Sequence, residues 1–323
     1  MIPRGSARSA PEAWHDVAAA QELVLLTTPS MRARRHPRAV IGVWAWESVL
    51  ALLASWPAAS LVRSVYGSDP RGDAPLWTPG GHALLDFVLH EQHGLRAATT
   101  GATLVLVVGA VAGLVPMAAL MTALAYATRE RRAAGFVRCV TEGLRLFRPM
   151  LVLLVAAGIA QALVLGIGAG IGSLVESWAH GGMGEARAQQ LQGLVLALFL
   201  VVASAVGVAH DLARAAVVRF DVPGTRAVVL GARTLRLAPL PLWWSWAWRA
   251  LAAVAPVVAV AGVAGRIGAH GGAAVFFLFV LHQSVVLARV AFRASWLAKA
   301  LRAVDGALRR VRDLEPQRAA SER

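Results

Sequence analysis

The chain has 323 residues, 57% of them hydrophobic and 15% charged, with a formal net charge of +14 and a mean hydropathy of +0.59. Its apolar residues fall in long unbroken runs, which soluble cores do not need; a soluble fold is excluded and an all-α polytopic membrane protein is predicted. In a soluble protein so much positive charge would suggest nucleic acid, but in a membrane protein it reports topology, and no nucleic-acid partner is expected.

In chain order, residues 1–38 form a cytoplasmic arm with an amphipathic helix expected around 11–28. The first span runs over 39–62 and leads to an outer interfacial helix near 82–95. Spans follow at 98–126, 149–174, 191–213, 238–264 and 271–296, each long enough to cross roughly 30 Å of hydrocarbon at about 1.5 Å per residue. Amphipathic helices are expected near 129–147 and 225–237, completing a transmembrane domain over 39–298. A basic cytoplasmic tail takes up 299–323. No apolar core follows the first arginines, so no cleaved signal peptide is expected. The single cysteine, Cys139, rules out an intramolecular disulfide.

The arginines give the direction. Counted by segment, 26 Lys and Arg fall on the arm, the two basic connections and the C-terminal end, against 5 on the three opposite loops. By the positive-inside rule both termini are cytoplasmic. Arginine outnumbers lysine 31 to 1, a bias matching GC-rich bacterial coding, and the expected location is a bacterial cytoplasmic (inner) membrane. Trp44, Trp46, Trp56, Trp77, Trp178, Trp243, Trp244, Trp246, Trp248 and Trp296 lie in or near the span ends as interfacial anchors.

A repeat is visible at a shift of 88 residues. Arg131, Arg138, Gly143, Arg145 and Arg148 correspond to Arg219, Arg226, Gly231, Arg233 and Arg236. Ala179-His180-Gly181-Gly182 returns as Ala269-His270-Gly271-Gly272 at a shift of 90. Residues 1–126 read as a diverged first copy, so the six transmembrane helices are predicted as three related hairpins inserted the same way. Between spans two and three, Phe136, Val137, Val140, Leu144 and Phe147 keep a 3.6-residue period with Arg131, Arg138 and Arg145 on another face. Such a helix lies along the inner surface among anionic lipid headgroups, as a topology determinant or as a docking site for lipid or a protein partner. Gly166, Gly168, Gly170 and Gly172 form a small-residue seam for close helix approach.

Ionisable groups at membrane depth are the candidate site. Glu47 and Arg249 both fall about 13 Å from the cytoplasmic edge of outward-running spans and are candidates to pair. His282 and Gln283 come to a similar level from the sixth span, and Gln161 takes Arg249's place in the repeat. Asp211 and Arg214 share a helix face at the inner end of span four, with Asp221 before the Pro223-Gly224 break. Together these groups would line a polar cavity open to the cytoplasm, or else form ion pairs that order the bundle. Outside, His82, Asp86, His90 and His93 are spaced four, four and three apart on one helical stripe, with His180 and His270 at the other outer turns. The stripe could hold a transition metal or be the wet face of an interfacial helix; no complete ligand motif is present. His90-Glu91-Gln92-His93 is one residue too short for the metalloprotease pattern.

Enzyme motifs are missing: no nucleophile elbow, no cysteine pair and no phosphate loop. Asp305-Gly306 with Arg309 matches only part of the CDP-alcohol phosphotransferase signature, and its second Asp-Gly element is absent. The segment from Asp211 through Arg214 to Asp221, followed by an amphipathic helix and another hairpin, resembles bacterial six-span inner-membrane proteins of unknown function. Gln283, Arg289 and Arg293 in the last span are also similar. The pattern is distantly like the membrane domain attached to some glycerophosphodiester phosphodiesterases. The resemblance implies a helical bundle and membrane residence, and no catalytic residue comes with it. The reading is therefore a non-enzymatic protein that binds or translocates a small solute or lipid through Glu47, Arg249, His282, Asp211 and Arg214. The rival reading is a scaffold whose basic helices dock a partner or anionic lipid, and a metal-binding outer face is a weaker third. No cofactor is expected, and the oligomeric state is open.

Overall fold

A computed structural model describes residues 24–25, 36–69, 76, 81–127, 135–267 and 272–321. Helix α1 (Pro37–Tyr66) starts on a proline, whose missing N–H costs nothing in a first turn. Helices α2 (His82–His90), α3 (Gln92–Ala112) and α4 (Leu114–Ala125) follow. The interruption at Gly113 follows from Pro116, which cannot donate to the carbonyl of Ala112. α5 (Phe136–Arg145) is short, and α6 (Phe147–Met183) and α7 (Glu185–Phe220) are long. α8 (Gly224–Leu237), α9 (Pro239–Ile267) and α10 (Gly272–Ser321) complete the chain. Six crossings are apolar and long enough for a bilayer: α1, α3 with α4, α6, α7, α9 and the first 36 residues of α10. Only 6% to 33% of each crossing's most apolar window is buried by protein, so lipid must cover the rest. The chain is an integral, multi-pass membrane protein.

Several boundaries differ from the sequence reading. Residues 175–183 and 185–190 are helical, and the turn between α6 and α7 is Gly184 alone, at φ 80°. His180 thus lies inside α6 and does not begin a turn. Hydropathy marks only the stretch that lipid requires, whereas helices run on beyond it. The tail likewise continues α10 to Ser321. The amphipathic helix expected over 11–28 falls mostly outside the described residues. Where described, it differs: Val24–Leu25 is a strand, β1, pairing antiparallel with β2, Tyr126–Ala127. The outer helix breaks at Glu91 (φ −96°, ψ 30°), which carries His93 onto α3.

Packing is concentrated at the end that carries α5 and α8. Ala118 to Ala125 of α4, Leu212 to Val218 of α7 and Val290 to Val304 of α10 supply most of the buried core, and these three helices pack on one another. α1 packs on α3 and α4, α6 on α7, and α9 on α10. The α1–α3 seam runs through glycine: a Cβ on Gly94 would strike Leu61, on Gly101 would reach Pro57 at 3.3 Å, and on Gly109 would strike Leu50. Along α6, Gly168 and Gly172 face Phe199 and Gln192 of α7, while Gly166 and Gly170 have nothing within 4 Å of such an atom. Only half of the expected seam is therefore in protein contact.

The two amphipathic helices dock alike. A Cβ on Gly143 of α5 would lie 2.7 Å from the Val115 carbonyl oxygen and 3.2 Å from the Ala119 nitrogen of α4. A Cβ on Gly231 of α8 would lie 2.8 Å from both the Ala209 oxygen and the Ala213 nitrogen of α7. Each glycine lets two backbones touch. The docking of α5 buries Cys139, which is 2% exposed, and this burial pushes its thiol up. Because the thiolate is the reactive form, alkylation of Cys139 by N-ethylmaleimide is expected to be at least about tenfold slower than that of a free thiol at neutral pH, and to accelerate as the pH is raised. A rate at neutral pH equal to that of free cysteine would contradict the docking of α5.

Candidate functional site

A cleft of about 510 Å³ opens between α1 and α9, with α10 as its floor. Glu47 of α1 stands on one wall and Arg249 of α9 on the other. Arg289, Phe292, Arg293 and Trp296 of α10 lie beneath. Those four floor residues follow the helical spacing of three and four that places side chains on one face. Glu47 is the eleventh residue of α1 and Arg249 the eleventh of α9, so both lie about 15 Å from their helix starts.

Glu47 and Arg249 share the cleft without pairing; no hydrogen bond or ion pair joins them among the described residues. Arg249 is claimed by its surroundings: Nη1 donates to the Ser245 carbonyl and hydroxyl, both at 2.6 Å, and Nε donates to the Ser295 hydroxyl at 3.2 Å. Its guanidinium also sits 4.4 Å from the centre of the Trp248 ring, a cation–π contact. The charges facing Glu47 are those of Arg289 and Arg293. Lys299 and Arg302 lie close enough to Arg249 to repel it electrostatically.

Asp211 reaches the cleft through Arg293. Its side chain, 3% exposed, accepts from Nη1 of Arg293 at 2.8 Å and from Nη2 at 2.6 Å. The indole of Trp296 donates to the same carboxylate at 2.8 Å. Arg214, one helical turn on, is only a marginal partner at 3.8 Å. Its Nε is buried with no hydrogen-bond partner among the described residues, as is Nε2 of the adjacent His210. Neither Asp211 nor Arg214 lines the cleft itself. Asp221, in the left-handed region at φ 50°, belongs elsewhere: it pairs with Arg145 of α5 at 2.8 Å and ties α5 to the end of α7.

His282 is exposed on α10, its Nδ1 donating to the Leu278 carbonyl at 2.7 Å, and it stays outside the cleft. Its neighbour Gln283 accepts from Ser48 of α1 at 2.9 Å. Gln161 donates to the Ala203 carbonyl of α7 at 3.3 Å, and Trp243 of α9 donates to Ser204 of α7 at 2.7 Å. Such polar rungs hold helices together where hydrophobicity cannot. At the far end, His90 and Asp86 contact each other at 3.0 Å with both side chains largely exposed. Among the described residues no three His, Cys, Asp or Glu side chains converge as a metal site, and His270 lies outside them.

The arginines of the cleft floor went unassigned to the site in the sequence. By sequence, Arg289 and Arg293 count among the C-terminal charges that set topology. The available signal was their spacing of four, with Phe292 and Trp296 on the same face. Because Arg293 is neutralised by Asp211, the cleft retains Arg249 and Arg289 against the single carboxylate of Glu47, a net positive site at membrane depth. Compared with protein-family models, with curated proteins and with solved structures, the chain gives no match.

Proposed function

We propose that this chain binds an anionic group in the α1/α9/α10 cleft without catalysing a reaction, and that the bound species is a small anionic solute or the headgroup of a lipid. The observation that carries the reading is the surplus of guanidinium groups around one carboxylate, Arg249 and Arg289 against Glu47, in a 510 Å³ space flanked by apolar crossings. Cations retained at membrane depth point to a ligand or pathway by default. Val254 and Val257 on the cleft rim are exposed along α9, which gives an amphiphile a route in from the side, and translocation would follow from release at the other face.

The proposed orientation places both termini in the cytoplasm of a bacterial cell and the chain in its inner membrane, supported by the 26-to-5 distribution of basic residues. Three related hairpins are part of the same reading, supported by the matched docking of Gly143 and Gly231. Val137 at 75% exposure, with Leu144, Val228 and Val229 also exposed on α5 and α8, favours these helices lying in the interface, where Arg138 and Arg226 meet anionic lipid. That surface is the basis of the second reading, a scaffold for a protein partner.

Thermal unfolding of the purified protein tests the cleft. Titration with inorganic phosphate, decyl phosphate and decyl maltoside is expected to raise the melting temperature with one or both anions and not with the neutral amphiphile. Stabilisation by phosphate alone identifies a solute site, and by decyl phosphate alone an amphiphile site. Arg249→Gln and Arg289→Gln should each weaken the effect about tenfold, roughly 1.4 kcal/mol. Glu47 competes with the anion for the arginines, so Glu47→Gln should strengthen it several-fold. If all three variants respond like the wild type, the charged groups are structural and the reading fails.

A further inference from the structure

A second cavity, larger than the cleft, is also present. A groove of about 780 Å³ lies between α1, α4 and α5, on the opposite side of α1 from α9 and α10. Along α1 it extends from Pro37 to Val49, about 18 Å of helix, a little more than half of the roughly 30 Å hydrocarbon thickness. Its walls are apolar because small residues, Ala39, Gly42 and Ala45 on α1 with Ala119 and Ala123 on α4, leave the space that larger side chains would fill. Its basic residues, His36 and Arg38, sit at one end, at the start of α1, level with the amphipathic helix α5. Phe136 of α5 closes over Gly42, its ring 3.4 Å from where a Cβ would stand.

We infer that this groove holds one acyl chain of an anionic phospholipid, with the phosphate at Arg38. A slot at hydrocarbon depth cannot hold water against walls with so few polar groups, and acyl chains are the surrounding solvent. The guanidinium at the slot's end lies where the headgroups of that leaflet begin and favours those with negative charge. The length matches a single leaflet, so the tail runs along α1 while the headgroup stays at the surface. The proposal does not depend on the cleft. The groove and the cleft share α1 but have no lining residue in common.

Cys139 lines the groove and is the chain's single cysteine, which makes it a built-in reporter. The full-length protein, stripped of phospholipid in maltoside detergent, is alkylated with N-ethylmaleimide at alkaline pH before and after addition of phosphatidylglycerol or phosphatidylcholine. Phosphatidylglycerol is expected to slow alkylation at least about fivefold and phosphatidylcholine less than twofold. Arg38→Gln should remove the difference between the two lipids, and Ala45→Trp, which fills the slot from an exposed position, should remove the lipid effect altogether. A wild-type rate that is fast with or without phosphatidylglycerol would overturn the proposal. A rate that is slow in lipid-free protein and unchanged by lipid would also overturn it, because the docking of α5 alone would then account for the shielding of Cys139.

Discussion

Replacing Asp211 with alanine is expected to cost about 3–5 kcal/mol of stability. The carboxylate is 3% exposed and accepts three hydrogen bonds of 2.6 to 2.8 Å, two from Arg293 and one from Trp296. Its removal strands a guanidinium and a buried indole N–H at the junction of α7 and α10, the centre of the core. The penalty arises from the groups left behind more than from the bond itself. The Asp211→Ala, Arg293→Ala double variant should therefore recover a large part of the loss in a double-mutant cycle followed by unfolding in detergent. A loss below about 1 kcal/mol for Asp211→Ala, or strict additivity with Arg293→Ala, would show that the pair does not hold these helices together.

Gly231→Ala and Gly143→Ala form the second expected result. At each site the added Cβ meets backbone atoms of the neighbouring crossing at 2.7 to 3.2 Å, and backbone cannot rotate aside as a side-chain tip can. Each substitution should cost about 1–3 kcal/mol and lift its amphipathic helix from the bundle, exposing it to limited proteolysis. Gly158→Ala in α6 serves as the control. Nothing lies within 4 Å of its Cβ position, and the higher helix propensity of alanine should leave it neutral or stabilising by up to about 1 kcal/mol. If all three variants behave alike, close docking at Gly143 and Gly231 is refuted.

The number and rough placement of the crossings were legible because lipid demands some 20 consecutive apolar residues, a signal that needs no tertiary information. α8 was also legible, bounded by Pro223-Gly224 and carrying a 3.6-residue period over Gly224–Leu237. The ends were not, because residues 175–190 are polar enough to resemble a loop yet form helix on both sides of Gly184. Gly94, Gly101 and Gly109 make the α1–α3 seam at intervals of seven and eight, which a search for glycines four apart passes over. Asp211 illustrates the main limit: the sequence offered Arg214 three residues away, while the structure chose Arg293, 82 residues on. Depth arithmetic set Glu47 and Arg249 at one level, and both line the cleft, but it could not say what lay between them. It also placed His282 near them, although that side chain faces away.

Native mass spectrometry of the protein, gently released from its own membrane, tests the cleft most directly. The account predicts a stoichiometric adduct, a small anion or an anionic lipid according to its mass, that is reduced in Arg289→Gln and Arg249→Gln and retained in Ala45→Trp. An empty wild-type protein, or an adduct indifferent to both arginines, would contradict it.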